Sequence, residues 1–172
     1  MSCCLSGQLE TASACSEARI QRFETALKET RAFVDDIHIT DQTGFHWKQL
    51  TASLHALDHM ERLLRRMQQQ ERIECASESK LLELHFSQLK TLVSNLCKGK
   101  KETFPRDSAE LSAAVSIARE GLREKIIRMV GDDSVSADEG DVLLRTLRWL
   151  DRLTHHLWRV TLHLEESGDA AP

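Results

Sequence analysis

The sequence predicts an all-α fold, an antiparallel bundle of about five long amphipathic helices. Its composition is dominated by good helix formers such as Leu, Arg, Glu, Ala and Gln. The 172 residues include only seven Gly and two Pro, and they lack the β-branched and aromatic runs that strands need. Apolar residues recur at alternating spacings of three and four, which indicates helices that each bury one apolar stripe.

The first half of the chain is predicted to hold three of these helices. Residues 1–15 mix Ser, Cys, Gly and Gln without a period, so we expect a flexible tail there. Ser16 can cap the first helix, because a Ser side chain accepts a hydrogen bond from a free backbone N–H. Gly99 is expected to end the third helix in the left-handed conformation. The predicted helical segments are 16–37, 45–73 and 77–99.

The second half is predicted to hold two helices after a linker at 100–106, which contains Pro105. Asp107 and Ser136 each begin a capping box, in which the first residue and a Glu three positions later satisfy each other's backbone N–H groups. Each helix alone would expose its apolar stripe, so short loops favour antiparallel packing around a common axis. The predicted helical segments are 107–131 and 136–166.

Two of the predicted helices carry similar segments. With the numbering shifted by ninety, Leu57-Asp-His-Met-Glu-Arg-Leu63 aligns with Leu147-Arg-Trp-Leu-Asp-Arg-Leu153. In both segments an acidic residue beside the apolar stripe is followed by Arg and Leu. Each segment also follows another amphipathic helix. The pattern favours two repeats of a helical hairpin, residues 16–99 and 107–166, over two Leu-rich helices that align by chance.

At these segments the sequence resembles the PhoU-like helical family, which includes phosphate-uptake regulators and the PhoU-like domain of bacterial sodium/phosphate cotransporters. The resemblance covers residues 16–165. It implies a PhoU-like tandem repeat and a non-enzymatic regulatory or accessory module of phosphate uptake and phosphate homeostasis. Such a module would dock onto a phosphate transporter, a sensor protein or a second copy of itself. It would work in the cytoplasm, where a partner could hold it at the inner face of the cell membrane.

The resemblance also raises metal binding, because family members often hold metal ions through two acidic residues four positions apart. Here the sequence departs from that pattern, since Glu61 is followed by Arg65 and Asp151 by His155. The candidate ligands of a divalent or iron ion are therefore Glu61, Asp151 and His155. A cation at i+4 pairs with the carboxylate instead of concentrating negative charge, so no obligatory metal cluster is expected.

Eight histidines keep a second function open, a metal-binding helical bundle that binds oxygen or acts as a di-metal enzyme. His55 and His59 are one turn apart, and His155, His156 and His163 share a later helix. The Glu-x-x-His motifs of di-iron bundles are absent. Histidines on solvated helix faces or at packed edges are the plainer interpretation, and a generic helical adaptor is a third alternative.

Composition and motifs exclude several other functions. A net charge of −4 gives no basic stripe for nucleic acid, and no apolar run reaches the ~18 residues of a membrane span, which predicts no direct membrane insertion. Five cysteines without a CxxC pair predict reduced thiols. No nucleophile elbow or phosphate-binding Gly loop occurs, so no catalytic residue is predicted. The predicted partner surface is Arg148, Trp149 and Arg152, which lie close to Asp151 in the sequence.

Overall fold

The computed structural model describes residues 3–37 and 44–168, and this part of the chain is helical without a strand, which confirms the all-α class. Side chains are described for 17–37, 44 and 46–168. None of the helices in the described ranges carries an apolar stretch long enough to cross a membrane. The helices are α1 (Cys3–Asp35), α2 (Phe45–Met67), α3 (Gln70–Glu78), α4 (Glu83–Cys97), α5 (Phe104–Gly131) and α6 (Ala137–Gly168).

The predicted number of helices was too low, because the segment predicted as 45–73 forms two helices. The chain leaves the helical conformation at Gln69, whose ψ is 73°, and the following helix α3 buries Ala76 completely. The predicted start of the next helix at Ser77 is also wrong. Ser77 Oγ donates a hydrogen bond to the Glu74 carbonyl inside α3 instead of capping α4. Ala76 packs into a cluster with residues of α4, α5 and α6, a tertiary contact that no local signal encodes.

Two further helix starts differ from the prediction. The backbone of α1 is helical from Cys3, before the predicted start at Ser16, and the added residues contain several helix formers and no Pro. Helix α5 starts at Phe104 inside the predicted linker, since Pro105 is tolerated in a first turn, where its missing N–H would be unsatisfied anyway. The Asp107 N–H bonds to the Thr103 carbonyl, so Asp107 lies within α5 and its predicted capping box does not open the helix.

Local signals at two other positions are confirmed. The Ser136 N–H donates to Glu139 Oε2 at 2.8 Å and the Glu139 N–H donates to Ser136 Oγ at 3.2 Å, which is the reciprocal pattern of a capping box. Gly99 has a φ of 84° and lies just after the end of α4, as predicted.

Three helix pairs run antiparallel, as the order of their contacts shows. Between α2 and α6, Gln49 bonds to the Ser167 carbonyl, and Trp149 Nε1 bonds to the Arg66 carbonyl at the other end. Between α1 and α2, Gln68 bonds to Glu24 and Arg31 approaches Glu61. Between α5 and α6, the Ser108 and Thr161 hydroxyls bond each other, and Arg119 bonds to Asp151. Helix α6 therefore packs between α2 and α5, and α1 packs on α2.

The buried side chains form three apolar clusters, and α6 contributes to two of them. The largest lies where α3, α4, α5 and α6 meet around Leu150 and Val115, which are both fully buried. The second lies between α1 and α2 and includes Leu27 and Leu64. The third joins Leu82, Ile126 and Leu147. Since burial of a Leu-sized side chain contributes about 1.5–3 kcal/mol, these clusters fix α6 as the common packing element.

Candidate functional site

Glu61 lies in a groove between α1 and α2. Its Oε1 approaches Arg31 Nη1 of α1 at 3.5 Å, and both side chains remain partly exposed. Arg65, the cation expected to pair with Glu61 along the helix, lines the same groove together with Glu24 and Lys28. The carboxylate is therefore paired with the neighbouring helix instead of within its own helix.

Asp151 occupies a different groove, between α5 and α6. It is buried, with 8% of its surface exposed, and its Oδ2 accepts a hydrogen bond from Arg119 Nη1 at 3.0 Å. His155 lines the same groove, which measures about 580 Å³. The structure thus brings Asp151 and His155 together, but it leaves Glu61 in the separate groove beside α1. The remaining residues that line the Asp151 groove include Ser112, Ser116, Arg119, Arg152 and Trp158.

The three candidate metal ligands do not converge on one point. Asp151 is neutralised by Arg119, and Glu61 faces Arg31. Burial, together with Arg159 and Arg152, lowers the pKa of His155, so its imidazole is neutral at pH 7 and could bind a metal. Within residues 3–37 and 44–168, however, no group of three or more His, Cys, Asp or Glu side chains is arranged to hold an ion.

The predicted partner surface separates into two parts. Arg148 and Arg152 are exposed on α6, as a docking surface requires. Trp149 is only 3% exposed, and its Nε1 donates to the Arg66 carbonyl of α2 at 3.0 Å. Trp149 therefore belongs to the core and fixes α6 against α2, which corrects its predicted place on the surface.

Five histidines from α2 and α6 form a cluster at the interface of these helices. His59 Nδ1 lies 3.0 Å from His156 Nδ1, and the rings of His55 and His163 stack at 5.1 Å between centroids. His155 completes the cluster, 6.0 Å from the His59 ring. Solvated helix faces and packed edges were both expected for the histidines, and the burial of His156 and His163 excludes the solvated placement for these two. The spacing within each helix was visible in the sequence, but the register between the helices was not.

The environment of the cluster keeps its central histidines neutral. Burial lowers the pKa of His59 to about 4, and Arg159 adds to the effect. Burial likewise lowers the pKa of His156 to about 4, with Arg66 as the next cause. One Nδ1 of the pair must then donate its hydrogen to the lone pair of the other. His163 Nδ1 contacts Glu166 Oε2 at 2.7 Å, while its buried Nε2 has no hydrogen-bond partner in the described residues.

Arginines gather beside the histidine cluster, near the end of α2. Arg62 bonds to Asp58 at 3.0 Å. Burial lowers the pKa of Arg66, and the charges of Arg152, Arg62 and Arg65 lower it further. The Arg66 Nε is buried, and no hydrogen-bond partner for it exists in the part of the chain that is described. Arg62 and Arg152 therefore lie close enough to Arg66 for their charges to oppose it, whereas the Arg65 side chain lines the groove that also holds Glu61 and Glu24.

Comparisons with protein-family models, with curated proteins and with solved structures find no match to this chain.

Proposed function

We propose that this chain is a non-enzymatic regulatory or accessory module of phosphate uptake and phosphate homeostasis. It acts by docking helix faces onto a phosphate transporter or a sensor protein. On this proposal the chain works in the cytoplasm, at the inner face of the cell membrane when its partner holds it there. The observation that carries the proposal is that Glu61 and Asp151 each pair with an arginine of the preceding long helix.

Both carboxylates lie on the second helix of an antiparallel hairpin and face an arginine of the first helix. Glu61 of α2 faces Arg31 of α1, and Asp151 of α6 faces Arg119 of α5. A shift of ninety positions moves Glu61 onto 151 and Arg31 onto 121, two residues from the observed partner of Asp151. This agreement supports a duplicated hairpin, the unit on which the resemblance to PhoU-like domains depends.

The surface of α6 supports docking as the mode of action. Arg148 and Arg152 are exposed and one turn apart on α6, so they share a face, whereas Trp149 is buried. Because the Trp149 indole is bonded to the α2 backbone, the helix that carries these arginines is held in place before any partner arrives. A surface on a rigid element loses less conformational entropy on binding than one on a loop, and arginine is enriched at binding hot spots.

The proposal is tested by deleting the coding sequence and measuring phosphate uptake and phosphate-starvation gene output. We expect both to change, and unchanged values in both would remove the proposal. Complementation with Arg148→Glu tests the docking surface, with Lys125→Glu on α5 as the exposed control. The Arg148 variant should restore neither readout and should lose its partner in a pull-down, whereas the control should restore both.

A second candidate, a metal-binding helical bundle, is favoured by the histidine cluster. His59 lies with its ring 5.2 Å from that of His156 and 5.7 Å from that of His163, and a neutral imidazole is a good ligand for divalent transition metals. Elemental analysis of the purified chain tests this candidate. Stoichiometric iron, manganese or zinc that is lost in a His59→Ala, His156→Ala variant would support it over the docking module.

A further inference from the structure

Three arginines lie near the end of α2 at the α2–α6 interface, two of them on α2 and one on α6. Arg62 and Arg66 are one turn apart on α2, so their side chains share a face. The bond from Trp149 Nε1 to the Arg66 carbonyl places Trp149 of α6 beside this turn. Arg152 follows Trp149 by three residues, so it lies one turn farther along α6 on an adjoining face, where it also lines the Asp151 groove. The electrostatic effect of Arg152 and Arg62 on Arg66 agrees with this placement.

The positive charge of this group is largely uncompensated. Asp58 pairs with Arg62, but neither Arg66 nor Arg152 has an ion-pair partner in the described residues. Three guanidinium groups and one carboxylate leave a local charge of about two positive units at neutral pH. The whole chain carries a formal charge of −4, so this excess is a local feature of the α2–α6 interface and not a general property.

The group also contains a hydrogen-bond donor without an acceptor. Arg66 Nε is buried in the interface and has no partner in the described residues. The neighbouring imidazole of His156 already uses its Nδ1 in the contact with His59. A buried donor is normally satisfied, so Arg66 Nε lacks the acceptor that such a group usually has.

We propose that Arg62, Arg66 and Arg152 bind a phosphate dianion, either as inorganic phosphate or as the terminal phosphoryl group of a small metabolite. The fork of a guanidinium group matches two oxygens of a tetrahedral oxyanion, and two negative charges balance the local excess. A single carboxylate would leave half of that excess in place. The proposal deepens the proposed function, on which its physiological meaning rests, because it gives the module a ligand to sense.

Isothermal titration calorimetry of the full chain with inorganic phosphate tests the site, with chloride used to hold the ionic strength constant. We expect saturable binding that Arg66→Gln and Arg152→Gln each weaken at least tenfold, about 1.4 kcal/mol per tenfold change. Arg123→Gln on α5 is the matched control and should bind as the unaltered chain does. Arg152 is exposed, so its variant keeps the test valid if the Arg66 variant fails to fold.

Several outcomes would overturn the proposal. Absence of saturable phosphate binding would do so, and so would Arg152→Gln or a folded Arg66→Gln variant that binds as tightly as the unaltered chain. A parallel titration with glycerol 3-phosphate distinguishes the two sources, because tighter binding of the ester assigns the site to an organic phosphate. Failure here is distinguishable from failure of the proposed function. If deletion changes phosphate uptake but the purified chain binds no phosphate, only the proposed ligand is refuted and the proposed function stands.

Discussion

At the scale of single residues, the contact between His59 and His156 makes the α2–α6 interface sensitive to acid. Their Nδ1 atoms are 3.0 Å apart, so the contact requires at least one of them to be unprotonated. Arg159 beside His59 and Arg66 beside His156 also oppose protonation. Asp58 favours the charged form of His59, but burial and the cations outweigh it. The pair therefore loses its contact when both rings are protonated, and burial and the nearby cations oppose each protonation.

We expect the free energy of unfolding to fall as the pH decreases from about 6.5 to about 4. The folded pKa of both histidines is about 4, below the ordinary value of 6.5, so the unfolded chain binds more protons in this window. For each extra proton that the unfolded chain binds, the free energy of unfolding falls by about 1.4 kcal/mol per pH unit. Urea titrations at pH 7, 6 and 5 measure it. His156→Leu should flatten the slope while His85→Gln on α4 should not, and equal slopes for the two variants would contradict the assignment.

The two ion pairs are expected to differ in their effect on stability. Asp151 is buried and bonded to Arg119 at 3.0 Å, whereas Glu61 is partly exposed and 3.5 Å from Arg31. We expect Asp151→Asn to destabilise the chain by about 1–2 kcal/mol, since it leaves a poorer acceptor in a buried place. Glu61→Gln should cost less than about 0.5 kcal/mol, as exposed pairs do. Urea denaturation decides between them, and an equal loss for both variants would refute the contrast.

At the scale of elements, α5 and α6 are in close contact where Gly140 meets Val130. Gly140 is buried, and a Cβ atom added to it would overlap the Val130 side chain. The turn that joins the helices has Asp133 in the left-handed region, with a φ of 57°. The small size of Gly140 therefore sets how tightly the hairpin closes, and with it the distance across the Asp151 groove farther along α6.

Gly140→Ala is expected to destabilise the chain by about 1–3 kcal/mol through overpacking against Val130. Gly121→Ala is the control, because nothing lies within 4 Å of the added atom and helix propensity favours Ala by about 0.5–1 kcal/mol. Thermal unfolding of both variants measures the difference. Val130→Ala combined with Gly140→Ala should recover part of the loss. A stabilised Gly140→Ala variant would show that the helices separate without cost.

At the scale of the whole molecule, α6 is the element on which the others depend. It packs extensively against α2 and α5 and also touches α3, whereas the extensive contacts of α1 are with α2. Leu150 of α6 is fully buried in the largest cluster, while Leu27 of α1 belongs to the smaller cluster with α2. The structure therefore predicts that α1 separates from the rest at a lower free energy than α6.

Native-state hydrogen exchange tests this order. Amides in the described part of α1 should exchange through openings of lower free energy than amides in α6. Leu27→Ala should speed exchange mainly in α1, because its contacts are confined to the α1–α2 cluster. Leu150→Ala should lower protection throughout the chain by about 2–5 kcal/mol. If α1 and α6 exchanged with the same free energy in the unaltered chain, the molecule would open as a single unit instead.

What the sequence could predict about the candidate site was limited to contacts within one helix. The pairing of Asp58 with Arg62 follows from their i, i+4 spacing, as the structure confirms. Glu61 has the same spacing to Arg65, yet its carboxylate faces Arg31 instead. The partner in that case comes from a residue thirty positions away, which no local rule identifies. The placement of Asp151 and His155 one turn apart was predictable, and the pairing of Asp151 with Arg119 was not.

The sequence by itself determined the helical class, the stop at Gly99 and the cap at Ser136, because periodicity and capping act over a few residues of one chain segment. The tertiary structure alone decided that the helix predicted across Gln69 breaks, that Trp149 is buried and that histidines of α2 and α6 meet. These features depend on the register and direction of helices distant in sequence. Their energy comes from surface that is buried only after the helices have packed.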